Sequence, residues 1–165
     1  LLSALGVLAQ IKTTSTVKSV SVQAVTCACN QKGKHGNIDV VYTDGKKVRI
    51  VKAGNAMSAR LSPDHKTIVW AEGHDGDYRG PWFFEDQLVV YKDGHRARVI
   101  QPAKLIEDWQ FRESGRKIAV CSAGMHGAST LELFDTNSGR LLGKCMSYDE
   151  KKPSWAKGLN SRNNE

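Results

Sequence analysis

The residues best suited to chemistry lie in three glycine-flanked connectors. His35, His74 and His126 each fall between two strand-like runs, at equivalent places in a repeated pattern. Imidazoles gathered at one end of such a fold would bind a transition metal or an anion. The spacing gives no further sign of a shared metal, because ligation needs a defined ligand set and these are single residues in separate loops. His74-Asp75-Gly76-Asp77 sets two carboxylates around a glycine. A calcium ion requires more oxygen ligands, and no third acid or closing Glu follows at the needed spacing, so the stretch reads as a solvated turn. The same loop carries Tyr78, Arg79, Trp82, Phe83 and Phe84. Aromatic anchors beside an arginine are typical of contact surfaces, although large apolar rings also bury in gaps between units. These ten residues are the expected binding face. No catalytic residue, metal or cofactor is assigned.

The four cysteines are Cys27, Cys29, Cys121 and Cys145. In an exported chain they would form up to two disulfides, with three connectivities open. Cys27 and Cys29 are poor partners for each other, since a bridge across one residue is strained. The Cys-x-Cys spacing is wrong for a zinc site. The other reading is that all four are small apolar strand residues.

Enzyme signatures are missing from the sequence. There is no Gly-x-Ser-x-Gly elbow, no His-Glu-x-x-His and no Gly-Lys phosphate loop. A hydrolase or lyase acting on an anionic extracellular substrate, with His74, Asp75 or His126 as acid or base, is the alternative to a binding module.

These loops need strands to hold them, and the strands repeat. Val40–Ile50, VVYTDGKKVRI, returns as Val89–Val99, VVYKDGHRARV, so Tyr42 and Tyr91 stand 49 positions apart. A looser copy is Leu131–Leu141, LELFDTNSGRL. Ala59–Trp70 is echoed by Trp109–Val120, with Leu61 matching Phe111 and Ile68 matching Ile118. Asp44-Gly45 and Asp93-Gly94 are hairpin signals, because such turns favour residues that tolerate positive φ. Ser62-Pro63-Asp64-His65 is a turn whose Pro presets φ and whose Ser and Asp satisfy local backbone groups. No segment keeps a helical period, which predicts an all-β chain.

"ARLSPDHKTIVWA" followed by "LVVYKDG" and "RVI" resembles the blade repeat of TolB-type, WD-like β-propellers, with His65 where the repeat has Gly. The resemblance covers about residues 20–145. It implies two to three four-stranded antiparallel blades, at about 12–52, 56–100 and 106–145, within a β domain spanning 12–147. A closed propeller takes about four to eight blades. The expectation is therefore an incomplete propeller, a ring completed by a homo-oligomer, a capped open array, or a fragment of a larger propeller. Such propellers mostly serve as binding platforms, and the fold leaves the ligand open.

The flanks and the charge complete the reading. Residues 1–11 are apolar and uncharged, and read as a signal-peptide remnant or a buried element. They are too short for a membrane-spanning helix. The remnant reading points to a periplasmic or secreted protein. Residues 148–165 are polar around Trp155 and are expected to be weakly ordered. The chain has 165 residues, 40% of them hydrophobic, and a net charge of +7, which favours a protein or anionic ligand as partner. Lys47, Arg49, Arg96, Arg98, Arg140 and Lys144 recur on last strands, where charge protects sheet edges. No nucleic-acid-binding motif accompanies them.

Overall fold

The structure, a computed structural model, describes residues 16–24, 36–73, 85–124 and 127–160. Ten strands form in chain order: β1 (Val17–Ala24), β2 (Gly36–Tyr42), β3 (Lys47–Leu61), β4 (Thr67–Glu72), β5 (Gln87–Lys92), β6 (His95–Ile100), β7 (Leu105–Arg112), β8 (Lys117–Ala123), β9 (Thr130–Asp135) and β10 (Leu141–Met146). Every pairing is antiparallel. Apart from single 3₁₀ turns at Glu113–Gly115 and Ser154–Ala156, the described residues contain no helix.

β3 is the longest of the described strands, at 15 residues. Residues 47–51 and Ala56 pair with β2, while residues 56–61 pair with β4, so Ala56 is paired on both sides. Within the part paired to β4 the register shifts between Met57 and Arg60, and Ser58 there takes φ +47°, a bulge that re-aims the strand. β3 therefore serves two sheets. The first is β1, β2 and the start of β3. The second is the end of β3 with β4, β5 and β6. The third is β7 to β10 in sequence order. None of the three closes on itself.

The sheets stack face to face, and their burial pattern follows from the stacking. The second sheet lies in the middle, so β4 and β5 are apolar on both faces rather than alternating. Its Ile68, Trp70 and Val89 meet Ile38 and Val40 of the first sheet. Its Val69, Ala71, Leu88, Val90 and Ile100 meet Ile106, Trp109, Ile118, Val120 and Phe134 of the third. The Trp109 ring is 1% exposed, lies edge-on to Phe111 at 5.6 Å, and carries the Arg60 guanidinium 4.7 Å from its centroid. Arg60 also donates to the Trp109 carbonyl and pairs with Asp108 at 3.2 Å. One arginine thus ties the second sheet to the third.

The turns obey local chemistry, with one difference between the repeats. Asp93 and Gly94 both have positive φ, +52° and +83°, as a two-residue hairpin requires. At the first copy only Gly45 is positive, at +84°. There Gly45 N donates to the Tyr42 carbonyl and Tyr42 N to the Lys46 carbonyl, which makes a three-residue loop. The shared Asp-Gly pair did not fix the loop length; the strand register did. At Ser62–Lys66, Ser62 Oγ accepts from Thr67 N and donates to Asp64, which accepts from Lys66 N. His65 occupies the position with φ +59°.

The tail departs from the expectation of weak order up to residue 160. Trp155, Ala156 and Leu159 pack with Cys121, Leu131 and Cys145 on the outer face of the third sheet. Arg112 donates from Nε to the Trp155 carbonyl at 2.8 Å and from Nη2 to the Lys157 carbonyl at 2.6 Å. Three apolar residues suffice because the tail buries its own groups and the sheet's together.

Candidate functional site

The strands present two ends. At one end Ala24, Gly36, Ala56, Glu72 and Gln87 follow one another across the first two sheets by pairing. Ile106 N donates to the Glu85 carbonyl and brings the start of the third sheet to the same end. The connectors bearing the expected binding face spring from here. His35, His74, Asp75, Asp77, Tyr78, Arg79, Trp82, Phe83, Phe84 and His126 themselves lie outside the described residues, as do Cys27 and Cys29.

The carboxylates described at this end are committed to holding the fold. Glu72 accepts from Trp70 Nε1 and Gln87 Nε2, both at 2.9 Å, and from Arg96 at 2.8 Å. Glu132, buried on the face toward the second sheet, accepts from Ala103 N at 2.9 Å and from Ser122 Oγ at 3.4 Å. Glu107 accepts from Ser129 at 2.9 Å and lies 3.5 Å from the Cys121 sulfur. Burial, and then the Glu107 charge, push the Cys121 thiol up to about 12, so it is no nucleophile near neutral pH. Cys121 and Cys145 are unbridged. They flank Leu131 on either side of β9. Two strand spacings separate their Cα atoms by about 9–10 Å, beyond disulfide reach. The connectivity joining those two is thereby excluded.

At the other end, where the tight hairpins turn, a cleft of about 670 Å³ opens between the first and second sheets. Tyr42 and Tyr91, the repeated tyrosines, both line it, with Val17, Ile68, His65, Lys66, Lys92 and Asp93. The stack brings the two rings together because each occupies the same strand position in neighbouring sheets. Trp70 stands behind Tyr91 with centroids 6.2 Å apart. Burial, and then the neighbouring Tyr42, hold the Tyr91 hydroxyl above its usual value, so it stays a neutral hydrogen-bonding group at neutral pH. His65 Nδ1 lies 2.9 Å from the Val17 carbonyl, which leaves Nε2 available. Lys92 Nζ donates to Asn137 in the β9–β10 loop at 3.0 Å.

None of these cleft residues stood among the expected site residues. Two signals were present in the sequence. One is the tyrosine repeat itself. The other is His65 in a glycine position, where a side chain at positive φ carries a strain cost of about 1–2 kcal/mol. Among the described residues, no group of three or more His, Cys, Asp or Glu is placed to hold a metal. No helix of the described residues is long and apolar enough to cross a membrane. Compared with known proteins, the chain matches no family model, no curated protein and no solved structure.

Proposed function

We propose that this protein is an exported, non-catalytic binding module built of TolB-like, WD-like propeller blades, with its contact site in the Tyr42/Tyr91 cleft. The cleft is the observation that supports the reading. Its volume falls in the range of small-molecule sites, and it combines an apolar floor with a few polar groups at the mouth. At the opposite end Glu72, Glu107 and Glu132 accept from structural donors, and the Cys121 thiol is buried and protonated. On this reading the three sheets are blades stacked as an array, and β3 passes directly from the first blade to the second.

A fragment screen followed by protein-observed NMR tests the proposal. Hits should shift the signals of Tyr42, Ile68 and Tyr91 together and show saturation. Tyr91→Ala should abolish those shifts while the amide spectrum stays dispersed. Hits that cluster elsewhere and leave the cleft signals unmoved would refute it.

A further inference from the structure

The first sheet stops one strand short of its neighbours. It has three strands, and the second and third have four each. Among the described residues β1 pairs with β2 alone. The direction of its other backbone groups follows from the ladder. Tyr42 N donates toward β3, and groups alternate sides along a strand, so Val40 and Ile38 point to β3 as well. Their partners Val20 and Val22 therefore turn their own N–H and C=O groups away from β2. Thr16 accepts from Thr43 across the same ladder, so the next carbonyl, that of Val17, faces the outer edge too. His65 Nδ1 meets it there at 2.9 Å. That contact sets the β3–β4 hairpin of the second sheet beyond the β1 edge. The place beside β1 is thus a recess about one strand wide, or about 4.8 Å, with His65 closing one end. Its floor is apolar. Leu61 pairs with Ile68 and faces the first sheet with it, Ala59 packs on the same core, and both are half-buried.

The edge also lacks the usual protection. Charge keeps outermost strands from pairing with other chains. β6 carries His95, Arg96 and Arg98, β7 carries Glu107, Asp108 and Arg112, and β10 lies beneath the tail. β1 has Lys18 alone, at its bulge. A second copy could not lay its own β1 alongside, because each hairpin stands past its β1 edge and the two hairpins would meet first. We propose that this edge docks one extended segment of a partner protein, added antiparallel to β1 as the fourth strand of the first sheet. The segment is uncharged along β1 and apolar at alternate positions. Its residues opposite Val20 and Val22 exchange main-chain hydrogen bonds with them and turn their side chains onto Ala59 and Leu61. The surface shares only Val17 and His65 with the Tyr42/Tyr91 cleft and does not depend on it.

The test uses a short synthetic peptide of alternating valine and threonine, with a lysine at each end for solubility, titrated into the labelled full chain by NMR. It should bind saturably, shift the Ala59 and Leu61 methyl signals, and slow hydrogen exchange at the Val20 and Val22 amides. Two N-methylated versions leave the protein untouched and test the strand geometry. Methyl groups on the valine nitrogens remove the donors that face β1 and should weaken binding at least about tenfold, or about 1.4 kcal/mol. Methyl groups on the threonine nitrogens, which point away from β1, should leave the affinity within about twofold of the parent peptide, well under 1 kcal/mol. Equal losses from the two versions would overturn the proposed pairing, and so would the absence of saturable binding. Exchange at Val20 and Val22 that is already slow in the chain alone would also overturn it. Slow exchange at every concentration would mean that another part of this chain fills the edge, and slowing as concentration rises would mean that a second copy does.

Discussion

The outer faces of the first and third sheets solve the same problem in opposite ways. Each belongs to a sheet whose inner face packs on the second sheet. On the first, the outward rows read Ser19–Val41–Lys47 and Ser21–Asp39–Arg49 across three strands. Asp39 and Arg49 form a two-bond ion pair, at 2.7 and 3.0 Å. On the third, the outward rows read Ala119–Leu133–Gly143 and Cys121–Leu131–Cys145. That face is apolar, and the tail lies over it. The space over Gly143 is filled by Trp155, whose ring atoms would stand 3.5 Å from an added Cβ. A polar face needs no cover, whereas an apolar one must be buried by something. The first sheet meets this demand through composition and the third through a segment far along the chain.

If the contrast is right, the two faces should respond differently to small changes. The largest effect belongs to Trp155→Ala. Loss of a partly buried indole should cost about 2–4 kcal/mol in a denaturant melt. It should also open Cys121 and Cys145 to a thiol reagent under native conditions. Unchanged thiol protection would show that the tail is not the cover. Arg112→Ala comes next, since its hydrogen bonds to the Trp155 and Lys157 carbonyls are charge-assisted and worth about 1.5–3 kcal/mol when lost. Arg112→Lys should recover only part of this, because a lysine cannot reproduce the fork.

The first face should tolerate more. Ser19→Leu would lengthen an apolar strip beside Val41 without disturbing the core. Its stability should stay within about 0.5 kcal/mol, while sedimentation should reveal stronger association than that of the unaltered chain. A Ser19→Leu chain of unchanged sedimentation would mean that polarity on this face does not limit association. The smallest effect is the ion pair. The Arg49 hydrogen bond, ahead of the weaker opposing effect of burial, holds the Asp39 carboxyl below its ordinary value. A lowered folded-state pKa contributes stability that is complete above the unfolded value and is lost as pH falls through the folded one. A carboxyl NMR titration of Asp39 should therefore inflect below 3.8, and Arg49→Ala should return it toward the ordinary value. Because the pair is exposed, Asp39→Ala should leave the melt unchanged within error.

Much of this architecture was legible because its causes are local. An Asp-Gly step favours a tight turn wherever it occurs, and alternating Val48 and Ile50 against Lys47 and Arg49 mark a half-buried strand. The Ser62–Lys66 turn was readable for the same reason, down to the roles of Ser62 and Asp64. The double burial of TIVWA could be recognised as apolar, but its cause is the sheet on either side. The cleft was harder to see. Tyr42 and Tyr91 were noticed as a repeat, yet a repeat 49 positions apart says nothing of whether two rings face one space. The expected binding face was chosen for residue type, and those residues lie outside the described part of the chain.

The sequence by itself determined that this chain is all-β, where its hairpins turn and which strand faces are apolar, because those properties depend on neighbours along the chain. The tertiary structure decided the rest. It bent β3 between two sheets and laid the polar-looking tail over Cys121 and Leu131. It also set the two tyrosines across one cleft. Each of these depends on surfaces meeting from distant parts of the chain, and burial free energy is indifferent to sequence separation.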